Sequence, residues 1–228
     1  MHLYAFRTAL EYDLHVTRPR VDLALARAPL RTVRPQDLAK VYAHPRTQVA
    51  RLSRGGALLR LTDGYYVVVP DDRGVDWRPT LEAAALGVAS AIYGAGGAVL
   101  MGVSAARVRG AIPRALATAT VAVPRQHRAI SLDGLGDVVV RFVQRDTDDL
   151  DAQLESFGAL GRGLVTTVEQ TILDLGRRVP SGADESQVRE AIDNLWLQAD
   201  QELLDELAQR QRGRATLVRL RGERRDRG

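Results

Sequence analysis

An α+β fold is predicted by three observations. Residues 33–70 read as two short helices, a turn and a β hairpin; residues 117–123 and 137–143 are β-prone; residues 80–93, 167–178, 185–198 and 201–210 read as helices. The expected architecture is a small N-terminal helical head with a hairpin, then a mixed α/β region with a small sheet and flanking helices. A chain of 228 residues with 45% hydrophobic content is long enough for two modest domains.

Taken in order, residues 20–28 hold Val21, Leu23, Leu25 and alanines that supply a first helix. Pro35 opens a second, since its fixed φ suits a first helical turn, and Leu38 and Val41 share one side at i, i+3 spacing. That helix ends near Ala43 and His44, because Pro45 disfavours helical geometry in the residue before it. A third helix over residues 46–54 turns Val49 and Leu52 inward and stops at Gly55 and Gly56, where a left-handed residue is needed. Residues 57–61 and 65–69 then pair across Thr62, Asp63 and Gly64, and Asp-Gly between β-prone runs is a strong hairpin signal. Together these pieces have the shape of a winged helix-turn-helix, with the hairpin as wing.

The third helix carries the chemistry. At about 100° per residue, Thr47, Ala50, Arg51 and Arg54 fall opposite Val49 and Leu52, with Arg46 and Gln48 on the flanks. For an isolated helix this is a solvated basic face. Between a packing helix and a hairpin it suits a DNA major groove, where arginine forks onto guanine, glutamine pairs with adenine and alanine permits close approach. Arg34, Gln36 and Lys40, before and on the second helix, join Arg46, Thr47, Gln48, Arg51 and Arg54 as candidate DNA-binding residues. Arg60 and Tyr65 stand beside the hairpin turn, where they reach phosphate or a minor-groove edge, although the tyrosines equally serve as cover for the hairpin.

Charge is distributed accordingly. Residues 1–70 hold eleven Lys or Arg against five Asp or Glu, about +6, whereas the whole chain is +4. The basic excess sits with the head, as a phosphate-binding surface requires.

The remaining global features exclude chemistries. The absence of cysteine removes disulfides, thiol nucleophiles and thiolate zinc sites. His2, His15, His44 and His127 are too scattered to form a ligand set, so no metal or other cofactor is expected. No run of eighteen apolar residues and no signal-peptide pattern occur, so a cytoplasmic protein with no membrane partner is expected.

Four segments are expected. Residues 1–16 form a helical extension with a stripe of Leu3, Phe6, Leu10 and Leu14 suited to packing or self-association; residues 17–72 form the DNA-binding head. Residues 75–211 form a second domain, with residues 75–228 expected to act without the head, and 212–228 form an arginine-rich tail expected to be disordered and to add nonspecific DNA affinity. In the second domain Thr167 caps one helix and Asp200 another.

Catalytic readings of that domain are weak. Glu169 is a helix N-terminal carboxylate, and Asp174, five residues on, does not share its face. The run Asp146, Asp148, Asp149 and Asp151 hints at a metal pair of nucleotidyltransferases, but LDGLGDVVV upstream offers glycine without the serine that such a phosphate loop needs. A nuclease would need an acidic pair with a lysine, and Lys40, the only lysine, lies in the head. No enzyme is expected.

The order of segments, with GYYVVVP, VLMGVSAARVRGAIPRA, a strand with AVP, VVVRFV and VTTVEQTILDL, resembles the AbiEi antitoxins of abortive-infection toxin-antitoxin systems, over roughly residues 20–178. The resemblance implies an antitoxin and transcriptional autorepressor: the winged helix binds an inverted repeat in its own promoter, with two copies on paired half-sites. Its second domain, here residues 104–174, opposes a nucleotidyltransferase-like toxin encoded alongside. The chain departs from the motif at Gln170, where the family often carries arginine. A ligand-responsive repressor, with the second domain as sensor, is the alternative reading.

Overall fold

A computed structural model describes residues 18–74, 76–177 and 185–226. The proposed extension at residues 1–16 with its Leu3, Phe6, Leu10 and Leu14 stripe lies outside the described residues, as does Arg178.

The head contains α1 (Leu23–Ala26), a 3-10 turn (Pro29–Arg31), β1 (Thr32–Val33), α2 (Pro35–Leu38), α3 (Pro45–Arg54), β2 (Leu58–Thr62) and β3 (Tyr65–Val68). The second helix is one turn shorter than its pattern predicts: after Leu38 the chain continues as turns, with Val41 and Tyr42 backbone N–H groups both donating to the Leu38 carbonyl. Tyr42 Oη accepts from the Asp22 backbone N–H at 3.2 Å, which ties that turn to α1. At the end of α3, Gly56 has φ +70° and the Ala57 N–H returns to the Leu52 carbonyl at 2.8 Å, the hydrogen bond that closes a left-handed helix stop. The strands form an antiparallel sheet of order β1-β3-β2, and Gly64, φ +78°, turns the hairpin.

This small sheet has a different core on each face. Leu58, Tyr66 and Val68 join Leu25, Val33, Leu38 and Leu52 beneath the helices. Leu59, Leu61, Tyr65 and Val67 face the other way, into a cluster built mainly by the rest of the chain. Alternation along the strands makes this partition possible.

Beyond the head come α4 (Leu81–Tyr93), β4 (Val99–Leu100), α5 (Gly102–Val108), β5 (Thr118–Val123), β6 (Ile130–Ser131) and β7 (Val139–Gln144). They are followed by β8 (Ala152–Ser156), β9 (Arg162–Thr166), α6 (Val168–Gly176), α7 (Glu185–Trp196), α8 (Gln201–Arg210) and α9 (Arg214–Arg225). Six strands make one mixed sheet of order β6-β7-β5-β4-β9-β8, parallel at β5-β7 and β4-β9 and antiparallel elsewhere. The fold is therefore α+β.

Helix α4 lies between the two sheets. Its alanines and Leu86 pack on β5 Ala119, Val121 and Val123, and on Leu30, Leu61 and Val67 of the head. Gly87 allows this approach, since a Cβ there would collide with the Thr32 side chain, and a Cβ on Gly163 of β9 would meet Leu86 and Leu30. The polar joint at residues 71–74 separates the two regions along the chain, but in space they share a core. Contrary to the expectation that residues 75–228 act without the head, Leu30, Leu61 and Val67 of the head are part of their core.

A second correction concerns residues 212–228. Instead of a disordered tail, α9 buries Leu217 and Leu220 against α6 and the α7-α8 pair. Gly176 admits it closely, with Leu220 and Thr216 carbons each 2.7 Å from where a Cβ would stand. The arginines that suggested disorder are structural: Arg219 donates to the Gly176 carbonyl at 2.5 Å, Arg221 forks onto Asp205 at 2.8 and 2.9 Å, and Arg224 pairs with Asp193 and lies over the Trp196 ring.

The caps read from sequence are formed. Thr167 Oγ1 accepts from the Gln170 N–H, and Asp200 Oδ1 accepts from Glu202 and Leu203. Buried Gln170 donates to Asp174 Oδ1 at 3.1 Å and exchanges hydrogen bonds with Gln211. A neutral amide thus sits at the position where the resembled family often has arginine, and the charges facing Asp174 come from Arg145 at 3.4 Å and Arg177 at 4.0 Å.

Candidate nucleic-acid interface

Helix α3 turns its two sides to different solvents. Leu52 is buried and Val49 half-buried against α2 and β2, while Arg46, Thr47, Ala50, Arg51 and Arg54 are exposed. Among the described residues none of the three arginines forms an ion pair, so the face is cationic along the helix's length. Arg51 and Arg54 lie in its last turn, where the helix dipole favours positive charge. Arg51 Nε donates to Gln48 Oε1 at 2.8 Å, which aligns two candidate readers and leaves the rest of the guanidinium outward.

The residues before α3 are less free. Asp37 closes the start of α2 by accepting from the Arg34 N–H at 2.9 Å, and its carboxylate also faces Lys40 Nζ at 3.2 Å and Arg34 Nε at 4.0 Å. With its amide turned so that the oxygen faces Arg34, exposed Gln36 can accept from that guanidinium. Lys40 remains three-quarters exposed, so its charge is available beside α3, whereas Arg34 and Gln36 are held locally.

Arg60 and Tyr65 depart from the expected pattern. The Arg60 guanidinium is bound between two carboxylates, Asp63 at 2.5 Å and Asp133 at 2.7 Å. These bonds raise the Arg60 pKa above the ordinary arginine value, and the Arg60 hydrogen bond holds Asp133 below the usual carboxylate range. Tyr65 packs into the shared core. The hairpin tip is neutralised and its far face covered, so neither residue belongs to the exposed cationic face.

What sequence reading missed is the hairpin's partner. The LDGLG segment, read as a glycine loop, docks under the hairpin: Gly134 N–H donates to the Leu61 carbonyl at 3.0 Å, and a Cβ on Gly134 would run into the Arg60 carbonyl oxygen. The glycine was visible, but nothing local marked what it would approach.

The acidic residues that suggested catalysis are engaged by the protein. Glu169 Oε1 accepts from the Asp200 N–H at 2.8 Å and so joins α6 to the start of α8. Asp151 accepts from Thr167 Oγ1 at 2.6 Å, Asp146 from the Asp148 N–H at 3.1 Å, and Asp149 faces Arg210. Asp174 is buried, and desolvation pushes its carboxyl up to about 6 against the opposing influence of Arg145, Gln170 and Arg177. Among the described residues no group of three or more His, Cys, Asp or Glu is arranged to hold a metal ion, and no helix is long and apolar enough to cross a membrane.

No protein-family model matches the chain, and no curated protein matches it. Among solved structures, the crystal structure of the RV2827C protein from Mycobacterium tuberculosis is similar, with a TM-score of 0.52 at 19% identity over 82% of this chain and 70% of that one. At that identity the likeness concerns the fold alone.

Proposed function

We propose that the head is a winged helix-turn-helix that binds duplex DNA through α3, and that the protein is an antitoxin and autorepressor of the AbiEi type. The observation that carries the DNA reading is the exposed Arg46, Arg51 and Arg54 face on a helix whose opposite side is fixed by Leu52 and Val49. In this reading α3 enters the major groove, Arg51 and Gln48 act as one hydrogen-bonded reading unit, and Thr47, Arg46, Arg54 and Lys40 hold the backbone. Two copies occupy the halves of an inverted repeat. The segments from α5 to α6 that carry the resemblance form the surface opposing a nucleotidyltransferase-like toxin, and no catalytic residue is assigned.

The docked hairpin modifies the usual division of labour. Because Leu61 and Val67 belong to the same core as α4 and β5, the head that carries the reading helix is packed against the second region.

The test has two arms. Binding of the full chain to a duplex spanning its own promoter is measured at several salt concentrations: three or four phosphate contacts per copy predict a log-log slope of about −3 for each bound copy. Co-expression with the neighbouring toxin gene measures rescue of growth. Loss of salt-dependent DNA binding removes the first assignment, and failure of rescue removes the second.

A second reading, a ligand-responsive repressor, is favoured by one observation: a cleft of about 300 Å³ at the N-terminal end of α4. It predicts that a small molecule changes DNA affinity.

A further inference from the structure

The hydrogen bond on the outer side of α3 has a direction. Arginine Nε–H only donates, so the 2.8 Å contact between Arg51 Nε and Gln48 Oε1 fixes which end of the Gln48 amide faces the arginine. The amide oxygen is engaged and the nitrogen is not. Gln48 Nε2 and both Arg51 Nη groups have no partner among the described residues. Gln48 is half-buried on the flank of the helix and Arg51 is exposed, and their i, i+3 spacing sets the amide beside the guanidinium.

Every free polar group of the pair is therefore a hydrogen-bond donor. A glutamine acting alone recognises adenine by donating to N7 while its oxygen accepts from the N6 amino group. Held by Arg51, Gln48 lacks the accepting half of that pairing. Arg51, with Nε occupied, keeps the end-on fork of Nη1 and Nη2, which fits O6 and N7 of guanine. The Gln48 nitrogen matches a base edge that offers a carbonyl, either guanine O6 or thymine O4. Adenine and cytosine present an amino group there and meet a donor with a donor.

We propose that α3 reads a guanine through Arg51 and, at a second position, a keto base through Gln48, with Arg51 setting that second preference by occupying the glutamine oxygen. The assignment rests on the reading of α3 as the helix that contacts DNA. Loss of Arg51 then does more than remove a guanine contact. It returns the amide oxygen to Gln48, and preference at the glutamine position turns to adenine.

The full-length parent, Gln48→Ala and Arg51→Ala are each used to select from promoter duplexes randomised across one half-site, at one salt concentration. The glutamine position is the one whose preference disappears in Gln48→Ala. There the parent enriches guanine or thymine over adenine by about fivefold, and Arg51→Ala enriches adenine by about threefold or more. Enrichment of adenine by the parent, no position sensitive to Gln48→Ala, or an unchanged preference in Arg51→Ala overturns the proposal while DNA binding stands. Absence of salt-dependent binding to any duplex overturns the DNA reading and this assignment with it.

Discussion

Arg60 Nη1 donates to Asp133 Oδ2 at 2.7 Å, joining the turn of the head's hairpin to a loop 73 residues away in sequence. Both side chains are well exposed, so the ion pair itself contributes little. The lasting connection is in the backbone beside it, where Gly134 approaches the Arg60 and Leu61 carbonyls too closely for any side chain. A hairpin held in this way is a partition between two cores, and its tip has little positive charge to offer a phosphate.

Gly134→Ala is therefore expected to destabilise the protein by about 2 kcal/mol or more, because a backbone oxygen cannot step aside as a flexible side chain would. Asp133→Asn, which loses only the exposed ion pair, changes stability by less than about 1 kcal/mol. Urea denaturation of both variants distinguishes the contributions. Equal stabilities of Gly134→Ala and the parent would mean that the loop does not dock under the hairpin.

Sharing of Leu30, Leu61 and Val67 between head and second region has a direct consequence. A fragment beginning at residue 76 leaves α4 and β5 without that cover, and is expected to bind a hydrophobic dye and to lose cooperative unfolding. The full chain is expected to unfold in one transition by circular dichroism. A fragment as stable as the parent would restore the picture of separable domains.

Stability should fall with rising pH in the range where Asp174 titrates. Burial raises its folded-state value to about 6, above the unfolded one, so the folded protein binds this proton more tightly. The contribution is complete below about pH 4 and is lost as pH rises through about 6. Asp174→Asn flattens this dependence, which spans up to about 3 kcal/mol. An unchanged pH profile of the melting temperature in the variant would show that Asp174 is not its source.

Leu220→Ala tests the C-terminal helix. Its side chain is 3% exposed in the second core, so truncation should cost about 2–5 kcal/mol. A chain ending at Gly213 should lose stability before it loses any DNA affinity. If truncation left thermal unfolding untouched, α9 would be an appendage after all.

Local signals were the legible ones. Pro45, Gly56, Thr167 and Asp200 each act within a few residues, so α3, its stop and the starts of α6 and α8 were readable from the sequence. Strands β4 and β6, two residues each, are too short to show a period, and β8 (AQLES) lacks β-branched residues. The shared core was illegible for another reason: alternation in LLRLT and YYVV announces two faces without naming what covers the second. The last helix was hidden by composition, since the carboxylates that neutralise Arg221 and Arg224 lie on α8 and α7. For the interface, periodicity found the α3 face, but the same reasoning could not see that Asp133 takes up Arg60.

In the proposed reading α3, and not the hairpin tip, contacts the bases. The most direct measurement compares Arg51→Ala and Arg60→Ala on one promoter duplex at fixed salt by fluorescence anisotropy. Arg51→Ala is expected to cost about 1–3 kcal/mol and to relax sequence preference, while Arg60→Ala changes affinity by less than about twofold. Retained affinity in Arg51→Ala with a loss in Arg60→Ala would place DNA recognition at the hairpin instead of α3.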